Sequence, residues 1–195
     1  MPAIFADPPG TAAWQHRHAR NGFEVVFFRT SDNGYRIEGD TAAVEHGQAW
    51  AVHYAITLDR NWVTRSALVQ GRSMSGRREV LLEADGVGGW TVNGAAASEV
   101  DGCLDVDLEA SSLTNAFPVH RLELQVGQEA DAPAAYVRAL DLRVERLEQR
   151  YVRLPDDGRY QRYHYASPAF GFAAELLYDE AGLVIDYPGI AVRAA

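Results

Sequence analysis

Residues 105–124 read DVDLEASSLTNAFPVHRLEL, and no other stretch crowds acidic, amide, hydroxyl, imidazole and guanidinium groups between two strand-like runs. Asp105 and Asp107 stand two positions apart, so on a strand both carboxylates leave one face while Leu104, Val106 and Leu108 leave the other. Ser111, Ser112, Thr114 and Asn115 then break the alternation with side chains that bond nearby backbone. Pro118 opposes a helix, and Val119–Leu124 resume an extended pattern with Arg121 and Glu123 on one face. The expectation is a strand, a polar corner and a second strand.

Upstream, Gln48–Leu58 alternates most cleanly. Trp50, Val52, Tyr54, Ile56 and Leu58 share one face, and Ala49, Ala51, His53, Ala55 and Thr57 share a nearly bare one. A bare face admits a second core layer or a ligand, and packed sheets favour the layer. Residues 23–30 (FEVVFFRT) are β-branched and aromatic, and Ser31-Asp32-Asn33-Gly34 turns them into a return strand over 35–44. Residues 63–70 and 77–84 read as strands, 88–94 as a short strand ending in an Asn-Gly turn, and 95–102 as a connector. Residues 1–20 read as a loosely packed leader pinned by Trp14.

Downstream, Leu140, Val144, Leu147, Tyr151 and Leu154 recur at helical spacing. Pro155-Asp156-Asp157-Gly158 is instead a hairpin signal between 149–154 and 160–165, and the hairpin is the reading taken. Residues 170–178 and 183–187 form a last hairpin over 179–182. Ten or so short strands with turn signals every eight to twelve residues specify an all-β barrel or sandwich, and 195 residues suit one domain over 1–195.

Composition narrows the function. A net charge of −9 lacks the basic footprint that nucleic acid or an anionic membrane surface requires. All eighteen cationic residues are Arg, which by itself marks no binding site. The single Cys103 excludes an intramolecular disulfide and reads as a small buried apolar residue. MPAIFADPPG has neither a basic start nor an apolar run, and no stretch of about 18 apolar residues occurs, so the cytoplasm is expected. The six histidines show no zinc spacing, and the nucleophile-elbow, His-Glu-x-x-His and Walker patterns are missing. No metal and no cofactor are expected.

Two constellations remain. The Asp105/Asp107 pair could hold a metal or act as acid and base, but a structural ion pair with Arg121 is the preferred reading. Tyr151, Tyr160, Tyr163, Tyr165, Tyr178 and Tyr187 crowd the C-terminal third. Flat apolar rings with a polar edge suit sugars and lipid head groups, although curved sheets use aromatics as filling too.

The stretch 105–124 resembles the signature of a family of bacterial glycolipid-binding proteins. Trp14 with Gly22-Phe23-Glu24, Asp59-Arg60-Asn61-Trp62, and Glu175 to Pro188 match the same family. The resemblance implies an open, strongly curved antiparallel sheet like that of lipoprotein-localisation factors, with one or two short helices, and it implies strands over 140–154 too. It also implies an amphipathic ligand, a lipid or glycolipid, in the concave face. The expected ligand-binding residues are Trp50, Tyr54, Arg65, Asp105, Asp107, Asn115, Arg121, Tyr151, Tyr163 and Tyr165. Two alternatives stand beside this. One is a small-substrate enzyme on the same scaffold, working by positioning and charge complementarity through Asp107, Arg121 and Tyr151. The other is a protein-binding scaffold that uses open sheet edges, as monomer or homodimer.

Overall fold

The structure, a computed structural model, describes residues 5–195. Its first half is a meander of β1 (Thr11–His16), β2 (Asn21–Ser31), β3 (Gly34–Glu45), β4 (Gln48–Leu58), β5 (Thr64–Ser73), β6 (Gly76–Ala84), β7 (Trp90–Val92) and β8 (Ala95–Ala96). Each long strand alternates buried and open residues, the pattern of a sheet with one dry face. The second half contains β9 (Asp105–Leu108), helix α1 (Ala116–Leu122), β10 (Glu129–Asp131), β11 (Ala134–Val137) and β12 (Val144–Leu147). It ends with β13 (Arg150–Asp157), β14 (Tyr160–Ser167), β15 (Phe172–Tyr178), β16 (Val184–Tyr187) and β17 (Ala191–Arg193).

Fourteen strands form one antiparallel sheet in the order β10-β13-β14-β15-β16-β17-β1-β2-β3-β4-β5-β6-β7-β8. The sheet curves without closing, and its two edge strands, β10 and β8, are three and two residues long. Short edges limit pairing with other chains. This is the expected open barrel-like sheet with one short helix.

The inside of the sheet is not an empty trough. A three-stranded sheet, β12-β11-β9, lies there, with β9 and β11 parallel and every residue of both buried. Val106, Leu108, Leu113, Phe117, Ala135 and Val137 share one core with Trp14, Val26, Ile37, Tyr54 and Ile56 from the inner face of β1–β4. A parallel pair needs a long connection, and residues 109–133, including α1, supply it. The stretch 105–122 therefore occupies part of the concave face in which a ligand is expected.

Three expectations change. Residues 11–16 are no loose leader, because β1 pairs with β2 on one side and β17 on the other and Trp14 is fully buried. Its indole Nε1 donates to the Val184 carbonyl at 2.8 Å. Residues 1–4 of that expected leader lie outside the described residues. Residues 116–122 form a helix despite Pro118, which sits in the first turn, where an N–H has no helical partner to lose. The bare face of β4 points outward, with Ala49 and Ala51 exposed, so it receives no second core layer. Residues 144–147 and 150–157 are strands, in line with the hairpin reading. No helix among the described residues is long and apolar enough to cross a membrane.

Candidate functional site

Glu24 fixes the polar corner of the central stretch to the sheet. It is fully buried on β2, and its Oε1 accepts from Tyr54 Oη at 2.6 Å and Ser111 Oγ at 2.5 Å. Its Oε2 accepts from the Ser112 N–H at 2.8 Å, so both oxygens are occupied. Burial pushes the carboxyl up and these donors oppose it. Thr41 Oγ1 on β3 adds a bond to the Ala110 carbonyl at 2.9 Å. Gly39 is required beside this cluster, since a Cβ there would collide with the Tyr54 ring.

From that anchor, β9 runs inward with its two aspartates in different surroundings. Asp105 meets Arg121 of α1 through two bonds, Nε at 3.1 Å and Nη2 at 2.6 Å. The fork-to-carboxylate geometry makes this a structural ion pair. Asp107 has no cation on it among the described residues. Thr114 Oγ1 donates to its Oδ1 at 2.7 Å and Gln149 Nε2 donates to its Oδ2. Burial, with the nearby Asp105 and Glu109, raises the Asp107 pKa to about 6.

Asp107 lines a cavity of about 220 Å³ between the inner sheet and the C-terminal strands. Its walls include Arg20, Glu109, Asn115, Tyr136, Tyr165, Ser167, Phe170, Phe172 and Tyr187. Tyr165, Phe172 and Tyr187 form one aromatic wall, with ring centroids 5.9–6.2 Å apart. Burial holds the Tyr165 and Tyr187 hydroxyls protonated, well above the usual range, so they act as hydrogen-bonding edges. Opposite, Tyr136 and Phe170 sit 5.6 Å apart, and the Arg138 guanidinium lies 5.2 Å from each ring. Phe170 and Ile190 bring apolar surface to the rim, and Phe170 is 45% exposed.

A second cavity, of about 370 Å³, lies on the Arg121 side and is lined by Tyr35, Arg60, Asn61, Trp62, His120 and Glu123 among others. Trp62 stacks on His120 at 3.6 Å, nearly parallel, and its backbone takes the left-handed φ of 62° that lets the ring turn inward. His120 bonds the Ala181 carbonyl at 3.0 Å through Nε2, and burial lowers its pKa to about 3. These contacts tie the 59–62 turn to α1 and describe packing more than ligand capture.

Of the residues expected from sequence, Asp107, Asn115 and Tyr165 meet in the first cavity. Tyr151 stands behind it, accepting from Asn115 Nδ2 at 2.9 Å through its fully buried hydroxyl. Arg121 lines the second cavity and Asp105 is its partner. Trp50 and Tyr54 are core residues, and Tyr163 packs edge-on against Tyr178 beneath Arg153. Arg65 is exposed and lies against Gly86, away from both cavities. Asp107, Arg121 and Tyr151, the trio of the enzyme alternative, therefore do not converge on one cavity. Arg20, Glu109, Tyr136, Ser167, Phe170, Phe172 and Tyr187 were not anticipated as site residues. The Tyr-rich run was the one signal that could have found Tyr187.

A family model described as "Putative glycolipid-binding" matches residues 11–193. The chain belongs to that family. Among solved structures, a DUF1089 family protein from Pseudomonas aeruginosa is 37% identical with a TM-score of 0.75, covering 86% of this chain and 90% of that one. A β-barrel-like protein of a domain of unknown function, DUF1849, from Brucella abortus has a TM-score of 0.50 at 10% identity, covering 94% and 92%. At that identity the second likeness concerns the fold alone. Among curated proteins no sequence matches. In this member of the family, the matched span takes in β1 through β17, so every wall of the first cavity lies inside it.

Proposed function

We propose that this protein binds the head group of a glycolipid or related glycoside in the cavity beside Asp107. The observation that carries the reading is the mixture of walls: aromatic faces from Tyr165, Phe172, Tyr187 and Phe170 surround a carboxyl, an amide and hydroxyls. A sugar ring has an apolar face that stacks on aromatics and a rim of hydroxyls that both donate and accept. Asp107, Glu109, Asn115 and Ser167 supply that rim with partners.

Size sharpens the reading. About 220 Å³ is below the roughly 300–1,000 Å³ that encloses a drug-sized ligand, so the cavity takes one ring and no acyl chain. The tail then lies along Phe170, Phe172 and Ile190 at the rim. Sequestration or handover of the head group is the action this supports, and no step of bond cleavage is needed.

Native mass spectrometry of detergent-free protein, followed by organic extraction, tests the reading together with saturation-transfer NMR against methyl glycosides. The expected result is a bound glycoside or glycolipid whose ring protons receive saturation, with the transfer abolished in Tyr165→Ala. A clean protein mass with no transfer from any glycoside would overturn it, as would transfer unchanged in that variant.

A further inference from the structure

Arg20 is the unusual member of the cavity wall. It is 8% exposed, yet among the described residues no carboxylate forms an ion pair with it within 4.0 Å. Its Nη1 donates to the Glu109 backbone carbonyl at 2.8 Å, and its guanidinium lies 5.3 Å from the centre of the Trp50 ring. Its Nε is buried with no partner among the described residues. Buried charges are ordinarily paired, because leaving water without a counter-charge is costly.

The two acids of the cavity do not serve as that counter-charge. Glu109 is taken up by Arg138 at 3.4 Å and by the Ala139 N–H at 2.8 Å. Asp107 is taken up by Thr114 and Gln149. Glu24, behind the wall, has both oxygens filled by Tyr54, Ser111 and Ser112.

Two of the unfilled groups belong to the cavity wall. Six buried side-chain atoms lack a partner among the described residues, and Arg20 Nε and Ser167 Oγ both belong to cavity-wall residues. Trp50 Nε1, on the ring that carries the Arg20 guanidinium, is a third, and His16 Nδ1, within the electrostatic reach of Arg20, is a fourth. A cation and a neutral donor left open on the wall of a sugar-sized cavity suit an oxyanion.

We propose that the head group bound here is acidic, carrying a carboxylate or a phosphate, with Arg20 as its counter-ion and Ser167 as a neutral donor. This rests on the reading that the cavity binds a glycosidic head group, and it adds the charge of that group. Arginine suits the task, since its planar fork offers paired donors to either oxyanion.

The test compares octyl β-glucoside with octyl β-glucuronide below their micellar concentrations by isothermal titration. Ring and chain are the same and only one carboxylate differs. Wild-type protein is expected to prefer the glucuronide by about tenfold or more, the scale of one charge-assisted contact. Arg20→Met, which keeps an apolar stem on Trp50, should bring the ratio of the two constants close to one. Ser167→Ala should reduce the preference without abolishing it. If Arg20→Met does not fold, raising sodium chloride with wild-type protein gives the same information, because a charge preference shrinks with salt and a fit preference does not. Free glucuronate and inorganic phosphate, titrated separately, distinguish a glycosidic acid from a bare oxyanion. Equal binding of both glycosides overturns the acidic head group and leaves the glycoside reading standing. Binding of neither overturns both.

Discussion

Asp105 and Asp107 are two residues apart on one buried strand, share a face, and have different roles. Asp105 is locked by the Arg121 fork at 2.6 and 3.1 Å. Asp107 faces a cavity, with Thr114 and Gln149 as its only bonded partners among the described residues. Burial is nearly equal for the two, at 1% and 8% exposure, so burial does not separate structure from function here. The partner does. A carboxyl with a dedicated cation is finished, whereas one satisfied by neutral donors can still exchange a proton or a ligand.

Removing the cation should break the comparison most severely. Arg121→Ala strands a buried carboxylate and is expected to cost about 3–5 kcal/mol in urea unfolding at neutral pH. A loss below about 1 kcal/mol would mean that Asp105 is no better served than Asp107.

Asp107→Asn should move stability the other way. The folded pKa of about 6 lies above the ordinary 3.8, so the contribution of the acid form is complete below 3.8 and is lost as pH rises through about 6. That gap corresponds to about 3 kcal/mol of penalty at pH 7.5, which an amide escapes. The variant should therefore unfold later than wild type at pH 7.5 and alongside it near pH 4. Asp105 and Glu109 are the charges facing this group, and Tyr136, Tyr151, Tyr165, Tyr178 and Tyr187 surround it. Destabilisation of equal size at both pH values would show that the carboxylate is the form the fold selects.

Asn115 provides a smaller refinement. Its amide satisfies the buried Tyr151 hydroxyl, so Asn115→Ala should cost about 1–2 kcal/mol, and a double-mutant cycle with Tyr151→Phe should recover most of it. At the bottom of the scale, the exposed pair Arg36–Glu38 at 2.8 Å serves as the control. Arg36→Ala should leave the urea midpoint where it is.

The same contrast separates what was legible in the sequence from what was not. The alternation in residues 48–58 delivers β4 as a strand with two unlike faces, because period two on a half-wet sheet leaves a mark in composition, although which face lies inward was not legible. The run 105–122 defeats such reading. Nearly all its residues are buried whichever way they point, Glu109, Arg121 and Leu122 excepted, so hydrophobic alternation carries no information, and a proline that opposes a helix interior is harmless in a first turn. The ion pair of Asp105 with Arg121 was readable because fork and carboxylate are complementary at any separation. The cavity was readable only through Asp107, Asn115 and Tyr165. Arg20, Tyr136, the Phe170/Phe172 pair and Tyr187 come from four separate segments, and nothing local marks residues that meet only through tertiary pairing.

The pairing of β1 with β17 bears on how the protein is made. Trp14 faces Arg193 across that ladder, and the indole bonds Val184, 170 positions away, so residues 11–16 acquire their second strand neighbour only after most of the residues between have been made. Until then β1 carries an unpaired edge and a tryptophan without its acceptor. Contacts this distant in sequence form slowly, and exposed edges on an incomplete sheet are sites of mispairing. The meander β1–β6 can assemble from neighbours alone while synthesis continues, but the seam has to wait. A chain stalled before residue 184 would present β1 as an open strand edge to its surroundings.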